Sequence, residues 1–239
     1  MEKSNILQQL LKLASGIKKI IGKSEYVIQE KSQGNYVTSI DIEIERFLME
    51  SLHAIFPEAG IISEESEENV KTWNWVIDPI DGTGNFIHGF PYTISIALIN
   101  EKREAEIGVV FSPLTDECYY AINGMGAFRC EGETKEKIQV KTFARKDGVI
   151  IFGVPYAREK THKILSIVEK LYDEASDLKR IGPASLDICR VAEGKAKMYV
   201  ELDLNLWDYA AGALILKEAG GFVEQVGDLS VFSSSPYAK

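Results

Sequence analysis

Trp73-Asn74-Trp75-Val76-Ile77-Asp78-Pro79-Ile80-Asp81-Gly82-Thr83 is the stretch on which the reading of this chain turns. Its apolar first part has the aromatic and β-branched content of a strand. The strand is predicted to end abruptly at Asp78-Pro79. A strand ending at Asp78 delivers a carboxylate at the sheet's edge. Pro79 stiffens the exit, and Asp81 can turn its own carboxylate back toward the first. Two hard oxygen ligands then face one point with the Ile80 carbonyl between them, a donor set that suits Mg²⁺. Gly82 allows close approach of the backbone to an anion, Thr83 adds a hydroxyl, and a helix starting here would offer free amides to a phosphate. The same hexapeptide equally suits an ordinary Asp-Pro turn with a helix cap.

Working outward, Ser63-Glu64-Glu65-Ser66 precedes this strand, and Trp207-Asp208 opens a later helical pattern. Asp208 would sit where a helix N-terminus favours a carboxylate. Taken singly, Glu64 reads as a solvated loop charge and Asp208 as an N-cap. Two amphipathic helices open the chain, through Ile6, Leu7, Leu10, Leu11, Ile17, Ile20 and Ile21, and through Ile40, Ile44, Phe47, Leu48, Leu52, Ile55 and Phe56. Thr38-x-x-Asp41 is a capping-box signal for the second. Strands are predicted at Tyr92–Leu98, Ile107–Phe111 and Cys118–Ile122, followed by a turn at Gly124 and Gly126. Beyond them the pattern gives a strand at Gly148–Val154, helices at Thr161–Ala175 and Ser185–Ala192, and a strand at Lys197–Leu202. A helix at Asp208–Ala219 and a final strand at Gly221–Val226 complete it. With no repeats and no linker, residues 1–239 read as a single α/β unit of two packed lobes, about 1–145 and 146–239.

The chain has 239 residues, 45% of them apolar, and a net charge of −9, so it can bury a sizeable core without staples. An acidic surface argues against nucleic acid or an anionic membrane as partner, since both need a basic face. Three scattered cysteines, Cys118, Cys130 and Cys189, indicate neither a disulfide framework nor a thiolate zinc site and fit a reducing cytosol. No signal peptide or membrane span is readable. Gly16 to Ser24 has five residues between its glycines where a phosphate-binding loop needs four, and it lies in a helical pattern. Gly124-Met125-Gly126 lacks the rest of a dinucleotide fingerprint. His53, His88 and His162 are scattered and read as structural.

Trp75 to His88 resembles the first signature of the inositol monophosphatase family, and Trp207 to Gly221 resembles its second. Glu64-Glu65-Ser66 and Thr38-Ser39-Ile40-Asp41 fall in the family's order, so the resemblance covers roughly residues 5–225. It implies a layered αβαβα sandwich, shared with fructose-1,6-bisphosphatases, and Mg²⁺-dependent hydrolysis of a small phosphorylated metabolite by a cytoplasmic homodimer sensitive to lithium. By position, Glu64, Asp78, the Ile80 carbonyl, Asp81 and Asp208 would hold two or three Mg²⁺. Glu64 and Thr83 would orient the attacking water, with Asp41 accepting the Thr83 hydroxyl proton. Asp81, Gly82, Thr83, Ala184, Glu201 and Asp208 would meet the substrate.

The residues after Thr83 favour inositol 1-phosphate. Fructose 1,6-bisphosphate, adenosine 3′,5′-bisphosphate and histidinol phosphate are the rival substrates, and a non-catalytic phosphate-ester-binding protein is the rival class. The chain departs from the family in Gly84 for the usual threonine, in Lys31 as only an approximate counterpart of a family lysine, and in a short C-terminal end. Glu201 also suits an exposed strand-end charge. Two bound Mg²⁺ would bring the net charge from −9 to −5, so the acidity makes binding of a phosphate ester conditional on the metal.

Overall fold

The computed structural model describes residues 2–22, 25–32, 34–65 and 70–237. Ser66 of the acidic loop, Lys23 and Ser24 of the glycine-lysine segment, and the last two residues lie outside them. Helix α1 (Lys3–Ile21) leads to a hairpin, β1 (Ile28–Ser32) and β2 (Asn35–Thr38), and then to helix α2 (Ser39–Ile55). Strands β3 (Gly60–Ser63) and β4 (Asn74–Asp81), the short helix α3 (Thr83–His88), and strands β5 (Thr93–Ile99), β6 (Ala105–Ser112), β7 (Glu117–Ile122), β8 (Ala127–Glu131) and β9 (Thr134–Ile138) follow. The rest comprises β10 (Val149–Phe152), α4 (Thr161–Tyr172), β11 (Asp177–Lys179), α5 (Ala184–Ala192), β12 (Met198–Leu202), α6 (Leu206–Glu218), β13 (Phe222–Val226) and β14 (Leu229–Ser233).

β3 to β9 form a seven-stranded sheet in chain order, antiparallel except for the parallel β3/β4 pair, and a five-stranded sheet runs β11-β10-β12-β14-β13. Side-chain alternation then builds five layers. Trp75 and Ile77 of β4, with Ile94, Ile96 and Leu98 of β5, pack on Ile40, Ile44, Leu48 and Leu52 of α2 and on α1. Val76, Ala97 and Val110 face the other way, onto α5 and α6. Those helices meet Ile151, Tyr199 and Phe232 of the second sheet. Its opposite face, with Ile150, Val200 and Val231, is covered by Ile164, Val168 and Leu171 of α4. The result is the αβαβα sandwich. α6 lies between two sheets, so Ala210 to Leu216 are buried without a break. A helix apolar on every side is what a central layer requires.

Three expectations need correction. The strand through Trp75 does not stop at Asp78-Pro79 but runs to Asp81, through an irregularity in which Asp78 pairs with Ser95 and Asp81 with Thr93. The extra residue on β4 is a bulge, the setting in which a strand tolerates a proline without an N–H. The strand at Phe222–Val226 is not the last, because Leu229–Ser233 returns beside it and inserts between it and β12. Finally, Asp208 does not open its helix: Asn205 is the N-cap, and its N–H donates to Asp208 Oδ2 at 2.6 Å.

Candidate active site

The bulge in β4 decides which way the signature residues face. Val76 and Asp78 project between the sheets, while Trp75 and Ile77 project toward α2. A regular strand would send Asp81 toward α2 as well. The inserted residue reverses that parity, so Asp78 and Asp81 both line one cleft of about 490 Å³ while the Ile80 side chain enters the core beneath α1 and α2. What Ile80 offers the cleft is therefore its main chain, whose carbonyl oxygen lies 3.2 Å from Thr83 Oγ1. Gly82 then turns at φ 88°, and a Cβ there would stand 3.1 Å from Pro183. No other residue fits that turn without strain.

Thr83 is the first residue of α3, and its hydroxyl also donates to Asp41 Oδ1 at 3.0 Å. The other oxygen of Asp41 takes the Thr38 N–H at 2.9 Å and the Thr38 hydroxyl, closing the capping box of α2. Asp41 is thus held from both sides. Its burial raises the pKa, opposed by the hydrogen bonds from Thr38 and Thr83.

Glu64, Asp78, Asp81 and Asp208 face the same cleft from the end of β3, from β4 and from the first turn of α6. Burial pushes Asp78 well above the usual carboxylate range, and Glu64, Asp81, Asp208 and Asp41 push it further. Asp208 is raised by loss of hydration and then by Asp81. Asp81 is raised to about 6 by burial, against hydrogen bonds from Ser185 and Ala184. The Ser185 N–H bond to Asp81 Oδ2 measures 2.7 Å. Glu64 is raised to about 7 by burial, although Lys31 reaches across from β1 to bond it at 3.1 Å. Lys31, the approximate counterpart in the family pattern, also pairs with Glu65.

Among the described residues no three His, Cys, Asp or Glu side chains are drawn together in the arrangement that would hold an ion. The carboxylates of Glu64, Asp78, Asp81 and Asp208 nonetheless line one cleft. Their chemistry still fits a hard divalent cation. Asp78 Oδ1 is buried and has no hydrogen-bond partner, and acids from three elements raise one another's pKa. Such a set is satisfied by a cation with oxygen preference.

Glu201 lies on β12 in the same cleft, its carboxylate accepting from the Tyr199 hydroxyl. Loss of hydration raises it to about 7, opposed by Tyr199 and, more weakly, by Arg180. Glycine at 153 is what admits it, since a Cβ there would fall 2.0 Å from the Glu201 carboxylate. Ala184, the first residue of α5, lines the same cleft.

The cleft therefore brings together every expected site residue except Asp41, which reaches it through Thr83. It also holds residues the sequence reading passed over. His88, read as structural, lines it, as do Tyr156 and Arg180 from loops. The Tyr156 hydroxyl is raised to about 12 by burial and by Asp81, Glu64, Glu201 and Asp78. Asn85 ties α3 to the loop before α5 by donating to the carbonyls of Ile181 and Gly182 at 3.2 and 3.3 Å.

A five-layer sandwich whose central helices and bulged strand gather acids over a threonine-aspartate pair defines the architecture of a phosphatase family. The chain belongs to the inositol monophosphatase family, whose profile matches residues 2–231. Inositol-1-monophosphatase of Rhizobium meliloti is 36% identical over 228 residues, covering 91% of this chain and 82% of that one. Nus factor SuhB of Escherichia coli is 36% identical over 204 residues, covering 81% and 73%. The crystal structure of the extragenic suppressor protein suhB from Bartonella henselae superposes with a TM-score of 0.87 at 29% identity, covering 98% of this chain and 94% of that one. No helix among the described residues is long and apolar enough to cross a membrane.

Proposed function

We propose that this chain hydrolyses a small phosphate monoester of a cyclitol or sugar, with inositol 1-phosphate as the leading substrate, in a Mg²⁺-dependent reaction. The observation that carries the reading is the Thr83 hydroxyl, which donates to buried Asp41 while facing a cleft of acids that includes the unpartnered Asp78 Oδ1. Glu64, Asp78, the Ile80 carbonyl, Asp81 and Asp208 would hold the cations. When bound, Mg²⁺ lowers the pKa of water and neutralises charge on the phosphoryl group.

The chain's own groups supply orientation. Because Thr83 Oγ1 gives its proton to Asp41, its lone pairs are left to accept one from an attacking water, with Glu64 as the second acceptor. The main chain of Gly82 and Thr83 would meet the phosphoryl oxygens. Glu201, anchored by Tyr199, would accept from a hydroxyl of the cyclitol, with Ala184 beside the ring.

The test is phosphate release from inositol 1-phosphate, fructose 1,6-bisphosphate, adenosine 3′,5′-bisphosphate and histidinol phosphate, with Mg²⁺, with EDTA and with Asp81→Asn. Turnover of inositol 1-phosphate that disappears with EDTA, and a loss of several kcal/mol of transition-state stabilisation in Asp81→Asn, are expected. Preference for the adenosine compound would overturn only the substrate. The relatives named Nus factor SuhB favour a second reading, a role in binding rather than turnover. No Mg²⁺-dependent turnover of any ester would overturn the phosphatase reading.

A further inference from the structure

Outside the cleft, β7 and β8 set two of the three cysteines opposite one another. Cys118 and Cys130 are direct partners in the antiparallel register. Opposed residues in such a ladder have Cα atoms about 4.5 or 5.5 Å apart, and both spacings fall within the roughly 4.4–6.8 Å that a disulfide spans. The Cys130 thiol donates to the Cys118 carbonyl oxygen at 3.6 Å, so it is directed at the residue opposite it. Their accessibility differs: Cys118 is 8% exposed in the core beneath α1, whereas Cys130 is only partly covered.

A cation is fixed beside the pair. Lys135 is the register partner of Cys130 across β8 and β9. Its ammonium is held 4.6 Å from the Phe128 ring and 5.3 Å from Tyr120, two rings stacked on the same face of the sheet. The neighbouring Cys118 and, more weakly, Lys135 bring the Cys130 thiol down to about 7 against the effect of burial. Cys189, fully buried in α5, has no such surroundings and is pushed well up by loss of hydration. A partly exposed thiol beside a cation is the environment of a reactive cysteine, and an opposed second thiol is what resolves its oxidation.

We infer that Cys118 and Cys130 form an oxidant-responsive dithiol, in which Cys130 reacts with a peroxide and Cys118 closes a cross-strand disulfide. In the first step the Cys130 thiolate attacks one peroxide oxygen, forming S–O and breaking O–O. The sulfur loses two electrons, and the departing hydroxide leaves as water. In the second step the Cys118 sulfur attacks Cys130, forming S–S and breaking S–O, and the Cys118 proton departs with the hydroxyl as a second water. A dithiol reductant reverses the bond by exchange.

The test exposes the folded full-length chain to hydrogen peroxide, alkylates the remaining thiols natively and maps peptides by mass without reductant. A Cys118–Cys130 cross-link lacking two hydrogens, removed by dithiothreitol, is expected, with Cys189 alkylated only after unfolding. In Cys118→Ala the Cys130 sulfenic acid should persist long enough for dimedone to trap it. Lys135→Gln should slow alkylation of Cys130 at neutral pH by about two- to tenfold. Oxidation of the wild-type chain that stops at a Cys130 sulfinic or sulfonic acid without a cross-link would overturn the inference. So would equal reactivity of Cys189. Neither result depends on a variant that has to fold.

Discussion

Glu117 and Asp78 are buried carboxylates of the same seven-stranded sheet, 5% and 1% exposed, yet their surroundings drive them in opposite directions. Glu117 on β7 accepts from Arg190 at 2.9 Å, Arg129 at 2.7 Å and Thr115 at 2.9 Å. Burial alone would raise its pKa, but the two guanidinium groups hold it at about 2. Asp78 has only other acids for company and is driven up. One region is complete in itself. The other needs a charge the chain does not supply, so its cost in stability is the condition of its chemistry.

Substitutions should separate the two regions. Asp78→Asn should lower Mg²⁺-dependent turnover by about 10³-fold, roughly 4 kcal/mol, while the melting temperature in EDTA holds or rises because one member of a repelling set is gone. A large loss of stability instead would make Asp78 a structural residue like Glu117. Thr83→Ala should cost about 10²-fold in kcat with little change in KM, as measured in steady-state kinetics. Glu117→Gln should do the reverse of Asp78→Asn. Leaving Arg129 and Arg190 under-paired should lower stability by about 2–3 kcal/mol in denaturant titration, with turnover at saturating Mg²⁺ within about twofold.

A last test is in pH. Asp81 and Glu64, at about 6 and about 7, bind protons more tightly folded than unfolded. Metal-free stability should therefore fall as pH rises from about 4 through 7, and Mg²⁺ should remove that slope. Glu117, depressed when folded, contributes stability above about 4.5 that is lost as pH falls toward 2. Thermal melts across this range, with Mg²⁺ and with EDTA, would show a metal-free optimum near pH 4.5 to 5. An optimum unmoved by Mg²⁺ would contradict the assignment of the acids.

Elements with a strong apolar rhythm were legible in the sequence: α1, α2 with its capping box, and the strands β5 and β6, whose alternation the two flanking cores enforce. The β1/β2 hairpin was not, because every residue of β1 is exposed and only its partner strand organises it. β8 and β9 hide behind charged residues such as Arg129 and Glu136, which pair across the sheet surface. β14 is five residues beside a serine-rich end and became visible only through its place between β12 and β13. In the site, Asp78 and Asp81 were legible as a pair, but not the bulge that makes them face the same way. Tyr156, His88 and Arg180 carry no local pattern, since only the folding of distant loops brings them to the cleft.

Asp41 links two properties that proteins usually vary independently. The oxygen that fixes the start of α2 and the oxygen that takes the Thr83 hydroxyl belong to one carboxylate. A lineage drifting toward a purely non-catalytic role could therefore shed Asp78, whose buried oxygen has no partner, at little structural penalty, but would be slow to shed Asp41. Among decayed relatives of such a chain, this aspartate should outlast Asp78.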